Sequence, residues 1–290
     1  MMELKEHFLE LIRQASTDLP PDVEKRLREA YEIEDEGTPA KAVFKTILED
    51  VEMARENSTP ICQDTGTVNY FIYLPDGEKQ KPYIESGIWA AREATRKYYL
   101  RPNAVDPVSG KNSGDNTGKN APYFHFTTWD KDYVEVKLLL KGGGSENVGI
   151  QYKLPDINLN AGRDMKGVKK CVIDAVFKAQ GYGCAPGTIS VGIGGDRTTS
   201  YMLAKKNLFR KIGSKNENPI LDEMERELEE KLNAMGIGPM GFGGKTTVLD
   251  VFIDAQHRHP ATFYVSVVYN CWAYRRKTMI IKNGEVSYES

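Results

Sequence analysis

The sequence predicts a mixed α/β (α+β) fold in which mixed or antiparallel sheets are flanked by helices. Some segments repeat apolar residues at three- and four-residue steps, which is typical of amphipathic helices, and others are short β-prone runs bounded by glycine or proline. The two kinds of segment do not alternate regularly, so a doubly wound sheet is not predicted. A chain of 290 residues can bury a substantial core, and we expect a single domain over residues 1–290.

The N-terminal part, about residues 1–58, is predicted to be helical. Its first helix carries an apolar stripe from Leu4 to Ala15 and ends before Pro20. A shorter second helix follows. The third begins at Thr38-Pro39, because proline is favoured at the first helical position, and runs to about residue 56.

The rest of the chain mixes strands and helices. Asn283-Gly284 is a turn pair typical of a two-residue hairpin, so we expect a hairpin between 278–282 and 285–289. Residues 101–120 have no periodicity, and loops this long are usually functional or disordered. Other strands are expected at 68–75, 123–128, 133–140, 188–195, 246–253 and 262–270, and helices at 82–99, 164–179, 197–210 and 218–234.

The composition excludes several classes of protein. With 39 Lys+Arg against 41 Asp+Glu, the chain lacks the basic footprint of a nucleic-acid binder. No apolar run approaches the length of a transmembrane helix, so no membrane partner is expected. The charged first residues lack the apolar core of a signal peptide, and a cytoplasmic protein is predicted.

Glycines cluster at residues 141–147, 192–199 and 236–247. None of the clusters has the spacing of a P-loop or a dinucleotide fingerprint. The segment ending in Lys245-Thr246 comes closest, but a β-prone run follows it where a P-loop requires a helix. Two interpretations stay open: tight turns that need positive φ, and backbone donors for a small anion such as a carboxylate.

The four histidines offer one candidate cluster. His125 lies on a predicted strand and is interpreted as structural. His257 and His259 flank Arg258 at a predicted strand-to-strand connection. This group is either a surface turn or an anion-binding or acid–base cluster.

Four cysteines are too few for a disulfide scaffold, and no two form a C-x-x-C pair. Cys171 lies inside a predicted helix and is interpreted as a core residue. Cys62, Cys184 and Cys271 lie in turns or at strand ends, where thiolates can converge. They could hold three irons of an iron–sulfur cluster and leave the fourth open, but such sites usually show a clustered cysteine run. Buried reduced thiols are the alternative.

Eight unusual stretches of sequence together resemble the α-type catalytic region of the iron–sulfur hydro-lyases, the group that contains class I fumarases and tartrate dehydratases. They occur in the expected order from about residue 35 to 285. The stretches are ICQDTGT at 61, LRPN at 100, GDNTGKNAPYFHF at 114, KGGGSEN at 141, GCAPGTISVGIGG at 183, GIGPMGFGGKTT at 236, and HRHPA at 257 with YNCWAYRR at 269.

The resemblance implies a [4Fe-4S] cluster held by Cys62, Cys184 and Cys271. Its fourth iron would bind the substrate hydroxyl and an adjacent carboxylate and act as a Lewis acid. Asp64 would take the polar catalytic role in the departure of the hydroxyl, and Arg101 would pair with a carboxylate. The positions implied to line the substrate are Gln63, Asp64, Arg101, Lys141, Gly142, Gly143, Gly144, Ser145, Asn147 and His259.

The activity implied is the reversible hydration of fumarate to L-malate, a reaction of the tricarboxylic acid cycle on a small dicarboxylate. Single-chain members of the group continue into a second domain, so we expect this chain to be an α subunit with a separate β subunit as partner. Tartrate dehydration is the alternative, decided by how the pocket satisfies the extra hydroxyl. An iron–sulfur redox or sensor protein is disfavoured by the three-cysteine ligation, since electron transfer gains nothing from an open iron, and by the substrate-like polar segments. A regulatory module that has lost its cluster is disfavoured by the presence of all three cysteines and Asp64.

Overall fold

The structure of the protein is a computed structural model that describes residues 2–289, with side chains from residue 3 onward; Met1 and Ser290, the ends of the predicted domain, lie outside the described residues. No helix in this range is both long and apolar enough to cross a bilayer. The helices are α1 (Met2–Thr17), α2 (Pro21–Ile33), α3 (Pro39–Asn57), α4 (Lys81–Arg96), α5 (Gly143–Asn147), α6 (Met165–Ala179), α7 (Arg197–Asn207) and α8 (Pro219–Asn233), with a 3₁₀ turn at Pro239–Gly241. The strands are β1 (Thr67–Pro75), β2 (Tyr123–Trp129), β3 (Val134–Lys141), β4 (Ile150–Lys153), β5 (Gly187–Gly194), β6 (Val248–Gln256), β7 (Tyr264–Asn270), β8 (Arg276–Lys282) and β9 (Glu285–Glu289).

Two mixed sheets confirm the predicted fold class. One has the strand order β2-β1-β3-β8-β9 and the other β4-β7-β5-β6. The β1–β2 and β5–β6 pairs are parallel and the remaining pairs are antiparallel. The described chain divides into two compact units, unit 1 (residues 2–21, 49–143 and 273–289) and unit 2 (residues 22–48 and 144–272).

The order of the strands in both sheets differs from their order along the chain. The consecutive strands β2 and β3 do not pair with each other but flank β1, and β6 and β7 likewise flank β5. Both central strands are buried along most of their length, and a strand with two buried faces belongs in the interior of a sheet. The C-terminal hairpin is as predicted: β8 pairs with β9 across Asn283-Gly284, whose φ values are 52° and 81°.

The core of unit 1 forms between one sheet and two helices. The predicted apolar stripe of α1 is fully buried at Phe8, Leu11 and Ile12, and it packs with Tyr70 and Ile72 of β1. Helices α1 and α4 also pack against each other. The N-terminal helix is therefore amphipathic because one stripe of it completes this core.

The core of unit 2 lies between its four-stranded sheet and helices α6, α7 and α8. Helix α6 begins where Asp164 accepts a hydrogen bond from the Gly167 N–H at 2.7 Å, a side-chain N-cap. Cys171, on the same helix, is fully buried in this core, and burial raises the pKa of its thiol to about 12. The prediction that Cys171 is a core residue is confirmed.

Two short elements were missed. Strand β4 has four residues, too few to show an alternating pattern of apolar and polar residues. Helix α5 has five residues and includes Gly143 and Gly144, where the sequence predicts a glycine loop. Glycine disfavours helix by about 1 kcal/mol relative to alanine, so here tertiary contacts override the local preference.

Asp250 on β6 gives unit 2 a pH-dependent stability. Its carboxylate accepts a hydrogen bond from the Gly213 N–H at 2.7 Å, and burial raises its pKa from 3.8 to about 6, with Glu229 and Glu225 contributing. A raised folded-state pKa stabilises the protein at low pH, and this contribution is lost as the pH rises through 6. We therefore expect the stability advantage of wild type over Asp250→Asn to be about 2 kcal/mol larger at pH 4.5 than at pH 7.5.

Urea unfolding of both proteins at the two pH values measures this difference. Comparing wild type with the variant cancels the titration of all other groups. An advantage that stays the same at both pH values contradicts the assignment to Asp250.

Candidate functional site

The turn that precedes β1 carries three of the predicted site residues of unit 1. Cys62 is half-buried, whereas Gln63 and Asp64 are exposed. The Asp64 carboxylate accepts the Gly66 N–H on Oδ1 at 2.9 Å and the Gly143 N–H on Oδ2 at 2.7 Å. Asp64 therefore ties the turn to the first residue of α5, and one amide of the predicted glycine loop is already occupied by this carboxylate.

Gly66 explains why this turn is packed so closely against β3. Its φ is 78°, and a Cβ atom there would lie 2.8 Å from the Lys141 carbonyl carbon and 2.9 Å from that of Leu140. No other residue type fits that space without moving the backbone. Lys141 is 1% exposed at the end of β3, and Gly142 after it is also buried. The structure thus joins the turn to Lys141, Gly142 and Gly143.

Arg101 reaches the same turn. Its backbone N–H donates to the Thr65 hydroxyl at 3.0 Å, and its Nη1 donates to the Gln63 carbonyl at 3.3 Å. The side chain is otherwise exposed. Gln63, Asp64, Arg101 and the 141–143 segment, predicted from stretches far apart in sequence, therefore meet within unit 1.

Arg275 is a charged residue of this region that the sequence analysis did not assign. It is 1% exposed, and its Nη1 donates to the Asp64 carbonyl at 2.6 Å. Its Nε and Nη2 are buried with no hydrogen-bond partner among the described residues. The Arg275 guanidinium thus places a positive charge beneath the turn. The sequence signal that could have indicated Arg275 is the Arg275-Arg276 pair at the end of the YNCWAYRR stretch.

Two of the predicted cluster ligands lie close together in unit 2. The N–H of Trp272, the residue after Cys271, donates to the Cys184 carbonyl at 3.2 Å. Cys184 is half-buried at a positive φ of 56°, and Cys271 is 7% exposed. Cys184 lies shortly before β5 and Cys271 directly follows β7, as predicted.

The Tyr269 ring packs against the Cys184 segment and so fixes the position of the Cys271 segment relative to it. A Cβ atom on Gly183 would lie 2.6 Å from its ring, and one on Gly187 would lie 2.3 Å from it. Tyr269 is 2% exposed, and burial raises the pKa of its phenol far above its ordinary value. The glycines on both sides of Cys184 thus form a cradle for a ring that lies two residues before Cys271, a contact that no local sequence pattern indicates.

Buried polar atoms lie near the same two cysteines. Thr188 pairs with Asn270 across β5 and β7, and the Thr188 Oγ1 and Asn270 Oδ1 atoms have no hydrogen-bond partner among the residues described. Thiolates are the ligands that iron–sulfur clusters use, so Cys184 and Cys271, whose segments are hydrogen-bonded to each other, fit that kind of group. Within residues 2–289, no three His, Cys, Asp or Glu side chains are grouped to hold one metal ion.

His259 lies on the β6–β7 connection in unit 2, as predicted. Its Nδ1 accepts a hydrogen bond from the Ala261 N–H at 3.1 Å, so a neutral ring carries its proton on Nε2. Arg258 donates to three backbone carbonyls of this connection and lies 4.6 Å above the Phe263 ring. Arg258 therefore holds the turn, and together with His257 and His259 it lines a cavity of about 530 Å³.

The remaining predicted substrate residues belong to α5. Ser145 is buried, Gly144 is half-buried and Asn147 is exposed. These residues lie on a helical turn, so the expectation of an open glycine loop was wrong. A helix directs the N–H groups of its first turn along its axis, and the Gly143 N–H at the start of α5 is already accepted by Asp64.

In the segment that most resembles a P-loop, residues 236–247, the backbone N–H groups are bound by a carboxylate of the protein itself. In unit 2, the buried Glu34 side chain accepts the N–H groups of Lys245 at 2.8 Å and Thr246 at 3.0 Å. Gly244 lies so close that a Cβ atom would be 2.7 Å from the Ala40 Cβ. The amides that would bind a phosphate are already paired, which favours the tight-turn interpretation.

Glu34→Ala should destabilise the protein by about 2–4 kcal/mol, because it leaves two backbone N–H groups without their charged acceptor. The midpoint of urea unfolding measures the loss. Glu32→Ala is the matched control, since Glu32 is an exposed carboxylate at the end of α2, two residues before Glu34. Equal midpoints for the two variants would contradict the role given to Glu34.

A family model described as Fumarate hydratase (Fumerase) matches residues 5–280. A putative class I fumarate hydratase of Geobacillus stearothermophilus is 48% identical over 279 residues; the match covers 95% of this chain but only 54% of that protein. A putative L(+)-tartrate dehydratase subunit alpha of Methanocaldococcus jannaschii is 35% identical, with 97% of this chain and 98% of that protein covered.

The L(+)-tartrate dehydratase subunit alpha of Escherichia coli K12 is 32% identical, with 100% of this chain and 93% of that protein covered. Every relative named here is therefore a hydro-lyase or a subunit of one by its name. The family match extends over both units and includes the Cys62 turn, the Arg101 segment and the paired cysteines. The chain belongs to the fumarate hydratase (Fumerase) family of hydro-lyases.

Proposed function

We propose that this chain is the α subunit of a [4Fe-4S]-dependent hydro-lyase that reversibly hydrates fumarate to L-malate. The observation that carries the proposal is the bond between the Trp272 N–H and the Cys184 carbonyl, which keeps Cys184 and Cys271 close together. Cys171, by contrast, is sealed in the core. The division of the cysteines into turn residues and a core residue supports ligation by the first set.

Cys62, Cys184 and Cys271 would hold the cluster. When bound, such a cluster with one iron not held by a cysteine supplies a Lewis acid for a substrate hydroxyl. Exposed polar residues follow Cys62 and a glycine precedes Cys184, which suits a site open to a small ligand. Iron and sulfide analysis of the anaerobically reconstituted chain tests this part of the proposal.

The residues of unit 1 would bind and orient the dicarboxylate. The Arg101 guanidinium is exposed apart from its bond to Gln63, so its other N–H groups can pair bidentately with a carboxylate. Asp64 accepts one backbone N–H on each oxygen and keeps lone pairs for a substrate hydroxyl. The buried charge of Arg275 beneath the turn favours an anion above it. His259, with its proton on Nε2, would donate a hydrogen bond.

Tartrate is the second candidate substrate. Two relatives that this chain covers almost end to end are named as tartrate dehydratase alpha subunits, whereas the relative of higher identity is named as a fumarate hydratase. A site that satisfies an extra buried hydroxyl discriminates strongly against a substrate that lacks it. Comparing kcat/KM for fumarate, L-malate and L(+)-tartrate decides between them, and we expect fumarate and malate to be preferred.

A β subunit is the proposed partner. Support comes from the "subunit alpha" names of relatives whose length this chain matches to 98% and 93%. We expect the reconstituted chain to carry the cluster but to hydrate fumarate at a normal rate only with its partner. Full activity of the chain alone would contradict this.

Arg101→Lys should raise the KM for fumarate about tenfold, because lysine keeps the charge but loses the planar fork that pairs bidentately with a carboxylate. The cluster absorbance per chain should not change. Steady-state kinetics of the αβ complex measure the effect. Arg96→Lys, on the exposed surface of α4, is the control and should behave like wild type. An unchanged KM in Arg101→Lys removes Arg101 from the substrate site.

A further inference from the structure

The segment between α4 and β2 in unit 1 contains one buried asparagine. Asn116 is 6% exposed, although the residues around it belong to no helix or named strand. Its φ is 61°, in the left-handed region that asparagine tolerates better than most residues. A buried polar side chain in an irregular segment needs partners, and these show what the segment is built around.

The Asn116 amide uses both of its ends. Oδ1 accepts the Asn103 N–H at 2.8 Å, while Nδ2 donates to the Arg101 carbonyl at 2.7 Å and to the Thr95 hydroxyl oxygen at 2.8 Å. The Thr95 hydroxyl in turn donates to the Ala91 carbonyl at 2.7 Å. Two acceptors therefore face Nδ2, and only a donor satisfies them.

A second layer of hydrogen bonds connects this amide to the Cys62 turn. The Asn103 side chain donates to the Thr65 hydroxyl and to the Gly66 carbonyl, both at 3.0 Å. Thr65, which is 1% exposed, also accepts the Arg101 N–H at 3.0 Å. The backbone of Arg101 is thus held on both sides, by Thr65 at its N–H and by the buried asparagine at its carbonyl.

We propose that Asn116 is a positioning residue that fixes Arg101 above the turn for binding of the substrate carboxylate, an inference that rests on the proposed function. The Arg101 side chain is exposed and makes one long hydrogen bond, at 3.3 Å, so its placement depends on its anchored backbone. A bidentate ion pair is sensitive to orientation. Loss of the anchor should therefore weaken substrate binding more than it affects the chemical step.

Asn116→Asp is the test variant, because it keeps the shape of the side chain and replaces the donor with an oxygen that faces two acceptors. In the αβ complex we expect at least a tenfold rise in the KM for fumarate and a change in kcat of less than about threefold. Hydrogen exchange of peptides covering Arg101 and Asn103 should be faster in the variant. Cluster absorbance per chain should match wild type. Asn120→Asp is the control, since Asn120 is exposed in the same segment and has a φ of 60°.

Asn116→Gly is the second variant and decides the matter if the aspartate variant does not fold, since glycine adopts the same φ without strain. A rise in KM without loss of the cluster supports the positioning role. An unchanged KM, or a fall in kcat alone, overturns it. If the wild-type complex itself is inactive, that result counts against the proposed function and not against this inference. Hydrogen exchange then tests the inference alone. If the Arg101 amide is as well protected in the variant as in wild type, Asn116 does not anchor Arg101.

Discussion

We expect each of the three single variants Cys62→Ser, Cys184→Ser and Cys271→Ser to lose the iron–sulfur cluster, whereas Cys171→Ser should retain it. A hydroxyl is a far poorer ligand for iron–sulfur clusters than a thiolate, so the loss of one thiol leaves too few ligands. Cys171 is fully buried with its pKa raised to about 12, so its thiol stays protonated and cannot ligate.

The cluster absorbance and the iron and sulfide content per chain measure this after anaerobic reconstitution. Circular dichroism checks that each variant is folded. Loss of the cluster in Cys171→Ser, or its retention in any of the other three variants, would show that the ligand set is wrong.

Gly187→Ala should both destabilise unit 2 and reduce cluster binding. Its new Cβ atom would lie 2.3 Å from the Tyr269 ring, so the ring or the start of β5 must move. Overpacking of this kind costs about 1–3 kcal/mol, and movement of Tyr269 displaces Cys271 relative to Cys184. Gly118→Ala is the matched control, because nothing lies within 4 Å of its added Cβ atom.

A double variant separates this packing effect from any other effect of the alanine. Tyr269→Leu removes the ring, so in the Gly187→Ala/Tyr269→Leu protein the added methyl group has room. We expect the two substitutions to be less than additive in the free energy of unfolding, as is typical of residues in contact. If the two substitutions had strictly additive effects on the free energy of unfolding, the contact between Gly187 and the Tyr269 ring would be contradicted.

The parts of the fold set by local pattern could be predicted from sequence. The apolar stripe of α1 and the Asn283-Gly284 hairpin are examples, because each depends on residues a few positions apart. The order of the strands could not be predicted in this way. The placement of β1 between β2 and β3 follows from burial on both faces, which depends on helices and loops distant in sequence.

The candidate site, like the fold, could be predicted from sequence only in part. Unusual stretches pointed to Cys62, Asp64 and Arg101, and the structure brings Asp64 and Arg101 to the same turn through their contacts with Gly66 and Thr65. The residues that hold the site together were missed. Arg275 and Asn116 act through hydrogen bonds to partners 13 to 211 positions away, and no local periodicity encodes such a contact.

The proposed function requires that substrate binds directly at a cluster held by Cys62, Cys184 and Cys271. To test this, fumarate or L-malate is added to the anaerobically reconstituted αβ complex and the Mössbauer spectrum of the cluster is recorded. Binding at one iron should change the signal of that iron alone, and succinate, which lacks both the double bond and the hydroxyl, should have less effect. A spectrum that stays the same at saturating fumarate and malate would contradict the proposal and favour an iron–sulfur redox or sensor protein.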